Sequence, residues 1–164
     1  MPTVFISIGS NINRDENISA GIEALKSKYS PILCSPIYES VAVGFEGENF
    51  YNLVVSFSTS DALDAVCKTL STIEDNNGRD RSGPKFGPRT LDLDLLLYGD
   101  LVINSPITLP RPEIYQNAFV LKPLADISGD FIDPVRKDTY STLWSMFKQT
   151  KQQKLWPISL AVYS

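Results

Sequence analysis

Leucine falls at every second position from Leu91 to Leu97 in the run TLDLDLLLY. Only an extended chain sends alternate side chains to opposite faces, so Thr90 to Tyr98 reads as a strand with one side in a core. Leu91, Leu93, Leu95 and Leu97 then share that side, and Asp92, Asp94, Leu96 and Tyr98 share the other. Three more runs read as strands: Thr3 to Ile8, stopped by the turn Gly9-Ser10-Asn11, then Ile32 to Tyr38 and Tyr51 to Phe57. The spacing predicts a helix capped by Asp15, with Ile18, Ile22 and Leu25 on one face and Pro31 beyond its end. A second helix is capped by Ser60, carries Leu63, Val66, Leu70 and Ile73 on one stripe, and stops at Asn77-Gly78.

Strand, helix, strand, strand, helix, strand is the order of a ferredoxin-like α+β sandwich, an antiparallel sheet with helices packed on it. A C-terminal extension follows, with a short edge hairpin over Gly99 to Leu109, a helix from Asn117 to Ile127, and a last helix from Thr139 to Phe147 with Leu143 and Phe147 inward. The length of 164 residues and the absence of a linker or repeat predict one domain, 1–164. Hydrophobic residues at 43% and charged residues at 21% exclude a disordered or fibrous chain. With no apolar run near the roughly 20 residues that span a bilayer, and neither a basic n-region nor a long apolar h-region in MPTVFISIGSN, the chain reads as soluble and cytoplasmic. Cys34 and Cys67 form neither a CxxC pair nor a zinc framework and read as two buried, reduced thiols.

The chain has no histidine, which excludes Ser-His-Asp and Cys-His catalysis and HExxH zinc sites. Chemistry must then run on carboxylates, cations and bound metal. Asp92 and Asp94, two apart on a strand, point the same way and suit Mg²⁺, which takes one or two carboxylates and completes its octahedron with water and phosphates. The same pair would also fit a solvated strand face. Just ahead, Arg79, Arg81, Lys85 and Arg89 stand against the single acid Asp80 in a loop with Gly78, Gly83 and Gly87. Such a loop can close cations over a compact anion, whereas the net charge of −4 argues against a nucleic-acid partner. There is neither a GxxxxGK[ST] loop nor a GxGxxG after the first strand, so phosphates would be held by side chains and metal. Glu74 could orient metal-bound water or the loop cations, or be an exposed helical acid. Asn52 could pair with a polar heterocycle or satisfy backbone, and Phe119 could stack on that ring or fill the core.

Gly87-Pro88-Arg89-Thr90-Leu91-Asp92-Leu93-Asp94, with Ile8-Gly9-Ser10-Asn11 and Ile73-Glu74 through Gly78-Arg79, resembles the 6-hydroxymethyl-7,8-dihydropterin pyrophosphokinases of folate biosynthesis. The likeness runs in register from Val4 to about Pro134. It implies the ferredoxin-like fold and transfer of the β,γ-diphosphate of ATP to the pterin hydroxymethyl oxygen, with AMP released. It implies two Mg²⁺ held by Asp92 and Asp94, phosphate-facing Arg79, Arg81 and Arg89, and ATP and the pterin as partners; the chain itself is expected to be a monomer. Lys85 and Phe86 fall where the family has a basic residue and a tryptophan, and Leu95 and Thr108 match nucleotide contacts. Asn52 matches the residue that bonds the pterin edge, Phe50 and Phe119 the aromatic sandwich, and Ser40, Val41 and Val43 further ring contacts. Arg111 stands where the family typically has a histidine on the ATP phosphates, and Asn117 where it has an arginine. The alternative is a nucleotide- or pterin-binding module with weak or no catalysis; a metal-dependent nucleotidyl transferase or nuclease is a third reading.

Overall fold

A computed structural model describes residues 1–41, 48–78, 91–149 and 153–160. The elements are β1 (Thr3–Ser10), α1 (Arg14–Tyr29), β2 (Leu33–Cys34), β3 (Ile37–Ser40), β4 (Phe50–Ser58), α2 (Leu63–Asn76), β5 (Asp92–Tyr98), α3 (Glu113–Gln116), α4 (Ala118–Ser128), α5 (Tyr140–Met146) and β6 (Leu155–Ile158). The strands form one sheet in the order β5-β1-β4-β3-β6, with β2 also paired to β4, and every pairing is antiparallel. Helices cover both faces. On one, α1 and α2 bury Ile18, Ile22, Leu25, Val66, Leu70 and Ile73 against Val4, Ile6, Ile8, Leu53, Val55, Leu91, Leu93 and Leu95. On the other, α3, α4 and α5 bury Ile114, Val120, Leu121, Leu124 and Tyr140 against Phe5, Val54, Leu96 and Leu97.

Several expectations need correction. Gly9 and Ser10 continue β1 rather than turning out of it, paired with Asn52 and Tyr51. The run Ile32 to Tyr38 splits into β2 and β3 around Ser35-Pro36, since proline cannot donate to a ladder. Neither Asp15 nor Ser60 caps a helix: the cap positions are Asn13, at φ 44°, and Ala62. Leu97 does not share a face with Leu91, Leu93 and Leu95. The β1–β5 register shifts between Phe5 and Ile6, where Leu97 and Leu95 pair across, and the extra residue of this bulge turns Leu97 toward the second core. Cys34 is exposed and Cys67 half-buried, though both are free thiols as expected. The expected hairpin over 99–109 reduces to the bridge Ile103–Leu109. The short α3 and the strand β6 carried no recognisable period. No helix among the described residues is long and apolar enough to cross a membrane.

The second core is organised around Asp133, which is fully buried. Its carboxylate accepts hydrogen bonds from the Tyr115 and Tyr140 hydroxyls at 2.8 and 2.6 Å and from the backbone N–H groups of Val135 and Arg136 at 3.0 and 2.7 Å. Burial and this carboxylate together push both tyrosine hydroxyls well above their ordinary pKa.

Candidate active site

Antiparallel register aligns four strands in one row: Asp92 on β5, Gly9 on β1, Asn52 on β4 and Tyr38 on β3. Val54, two residues from Asn52, packs into the core beneath α4, so alternation turns Asn52 to that same face. Asp92 and Asp94 alternate with Leu91, Leu93 and Leu95, which are buried under α1 and α2, and so they face the α4 side as well. Asp94 lies opposite Ser7.

Gly9 keeps the middle of this row low. A Cβ there would stand 2.5 Å from Nδ2 of Asn52, so the amide side chain lies over the glycine. Asn52 is 6% exposed, and its Oδ1 has no hydrogen-bond partner among the described residues. A buried carbonyl oxygen left unpaired costs about 1–3 kcal/mol, which a ligand N–H recovers. Ser40 and Phe50 pair at the next position on this face. Ser40 is buried, Phe50 half-buried and Val41 exposed. Phe119, half-buried, comes from the first turn of α4, which packs on β4 and β3.

At the other end of the row the described residues gather several carboxylates around Asp94. The Asp94 carboxyl is pushed up to about 7, first by burial and then by the charge of Asp92, with Glu74 and Glu113 adding to the rise and Arg111 opposing it. Arg111 reaches in from the segment before α3, its Nη2 3.4 Å from Asp94 Oδ1 while its Nε donates to Glu113 Oε2. Partial burial works against the guanidinium charge, but Asp94 and Glu113 overcome it and hold the group firmly protonated. Glu74 is not an exposed helical acid. It is 7% exposed, and its Oε2 accepts the N–H of Leu93, between the two aspartates, at 2.9 Å.

Two carboxylates crowded on one face, one of them resisting ionisation, form a donor set that fits a hard divalent cation able to neutralise both. Among the described residues no group of three or more His, Cys, Asp or Glu side chains could hold a metal by itself, so water and substrate oxygens would complete the shell.

The structure thus brings Asp92, Asp94, Arg111 and Asn52 onto one face of the sheet, with Phe50, Ser40 and Phe119 beyond. Leu95 is not among them: its side chain lies in the opposite core, leaving only its backbone for a nucleotide. Thr108 is exposed just ahead of the Leu109–Ile103 bridge, and Asn117 stands before α4 with no side-chain capping bond. Val43, Arg79, Arg81, Lys85, Phe86 and Arg89 lie outside the described residues. Sequence reasoning missed Glu113, whose only sequence signal was its place two residues after Arg111, and it missed the role of Gly9, although a glycine inside a strand pattern signals close approach.

Comparison with known proteins bears on this site. The model of the 7,8-dihydro-6-hydroxymethylpterin-pyrophosphokinase family matches residues 5–129. The chain is 37% identical over 164 residues to the folic acid synthesis protein fol1 of Pneumocystis carinii, covering 98% of this chain but only 22% of that protein. It is 34% identical over 158 residues to the 2-amino-4-hydroxy-6-hydroxymethyldihydropteridine pyrophosphokinase of Synechocystis, covering 94% of this chain and 79% of the relative. A Plasmodium falciparum HPPK-DHPS crystal structure superimposes with a TM-score of 0.72 at 12% identity, over 88% of this chain and 45% of that one, a likeness of fold. With a family model matching residues 5–129 and a relative 34% identical over 94% of its length, the chain belongs to the 7,8-dihydro-6-hydroxymethylpterin-pyrophosphokinase family.

Proposed function

We propose that this chain transfers the β,γ-diphosphate of ATP to the hydroxymethyl oxygen of 6-hydroxymethyl-7,8-dihydropterin and releases AMP. The observation that carries the reading is the Oδ1 of Asn52, without a hydrogen-bond partner among the described residues and set two strands from Asp92 across the bare backbone of Gly9. Strand spacing makes that separation about 10 Å. It is the span from the hydrogen-bonding edge of a bicyclic heterocycle to an arm reaching the carboxylates.

Asp92 and Asp94 would hold Mg²⁺, whose number the family resemblance gives as two. When bound, the metal draws charge from the phosphates and lowers the pKa of a hydroxyl it contacts. Asn52 orients the ring by accepting its N–H, Phe50 and Phe119 flank its faces, and Ser40, Val41 and Val43 border it. Arg111 turns its guanidinium to phosphate oxygens, joined by Arg79, Arg81 and Arg89 from the glycine-rich loop, with Lys85, Phe86, Leu95 and Thr108 toward the nucleotide. In a chain without histidine, one aspartate of the pair accepts the hydroxyl proton. The order β5-β1-β4-β3 supports the ferredoxin-like reading, with β2 and β3 together as its second strand. Strands β1, β4 and β5 lend side chains to both cores, which supports one domain.

The test is coupled detection of AMP with Mg²⁺, ATP and the hydroxymethyl dihydropterin. Asp94→Asn should remove essentially all turnover while the protein stays folded, and normal turnover would overturn the metal assignment. Calorimetry showing tight ATP binding with no AMP at any pterin concentration would instead establish a binding module.

A further inference from the structure

Arg111 is mounted firmly beside Asp94. Its backbone N–H bonds to the Leu96 carbonyl on the outer side of β5 at 3.0 Å, its Nε is held by Glu113, and its Nη2 stands 3.4 Å from Asp94 Oδ1. β5 is the first strand of the sheet order, so its outer edge is open to this segment. The guanidinium therefore occupies the neighbourhood in which a divalent ion would meet the same carboxylate. Two cations cannot share one carboxylate oxygen without repulsion, so each weakens the binding of the other. The competition ends when the guanidinium finds a second anion, and phosphate oxygens match its planar fork.

We propose that Arg111 is a stand-in cation for Asp94: it neutralises the carboxylate when no metal is present and makes divalent-metal binding conditional on a phosphate-bearing ligand that draws the guanidinium away. The inference rests on the metal reading of Asp92 and Asp94 and deepens it by naming what couples metal to nucleotide. Glu113 tethers the arm through Nε while Nη2 changes partner. The coupling is reciprocal, so the factor by which triphosphate tightens metal binding is the factor by which metal tightens triphosphate binding.

Mn²⁺ titrated into the full chain without nucleotide, followed by the paramagnetic resonance of the free ion, tests this directly. Wild type should bind Mn²⁺ weakly, and Arg111→Gln should bind it about tenfold more tightly, a gain that Asp94→Asn in the same background removes. Arg111→Met, which keeps the apolar stem, should show the same gain. A parallel titration of Mn²⁺ with a non-hydrolysable ATP analogue separates the two layers of the argument. Unchanged nucleotide-free affinity in both Arg111 variants, while Asp94→Asn still weakens the metal–nucleotide complex, overturns the stand-in role and leaves the metal reading intact. If Asp94→Asn binds metal with the analogue as well as wild type does, both fall.

Discussion

Gly9 and Asp94 show how much a single position decides. Gly9→Ala would place a methyl group 2.5 Å from the Asn52 amide, so the amide must shift from its seat. We expect a stability loss of about 1–3 kcal/mol in urea unfolding and a raised KM for the pterin, with ATP binding little changed; an unaltered pterin KM would show that the amide position does not matter. Asp94 predicts a pH dependence. Its carboxyl, raised to about 7 by burial and by Asp92, holds a proton more tightly in the folded chain than in the unfolded one. That favours the fold while the group is protonated, and the advantage is lost as pH rises from about 4 to about 7. The Tm of the metal-free protein should fall across that window more steeply than that of Asp94→Asn, and equal slopes would refute the assignment. The two aspartates were legible in the sequence because leucines at alternate positions already fixed their direction. The lone oxygen of Asn52 was not, since satisfaction depends on neighbours brought from other strands. Gly9 looked like a turn because glycine marks both turns and close approaches.

Among the elements, α2 and β5 are joined by one bond that matters beyond its size. Glu74, from the last turn of α2, accepts the N–H of Leu93 and so pins the strand between its two acidic residues. Glu74→Ala leaves that buried donor without its carboxylate and should cost about 2–4 kcal/mol in chemical denaturation. Loss of stability without any change in kcat would mean the bond is structural only. Helices α1 and α2 were readable from their apolar spacing, as were strands β1 and β5 from alternation. The bulge at Leu96 was invisible because two leucines in succession fit either face, and only pairing with Phe5 and Ile6 decides between them. The caps failed because Asp15 and Ser60 have the right chemistry but the chain enters each helix elsewhere. β6 was missed because LWPI is short and contains a proline, a sequence that only an edge position tolerates.

At the scale of the whole molecule, two cores share the central strands and should melt together. Asp133 tests this, because its carboxylate gathers Tyr115, Tyr140 and two backbone N–H groups far from the acidic pair in sequence. Asp133→Asn should lower stability by about 3 kcal/mol in a single transition, with both KM values unchanged. Two separate transitions would show that the faces fold independently. The row from Asn52 through Gly9 to Asp92 has one more consequence. The separation of its two ends is set by hydrogen-bonded main chain rather than by flexible side groups, so the sheet acts as a gauge of fixed length. An acceptor whose alcohol arm is one carbon longer would still lodge its ring, yet overshoot the acidic pair, and would serve as a competitor rather than a substrate.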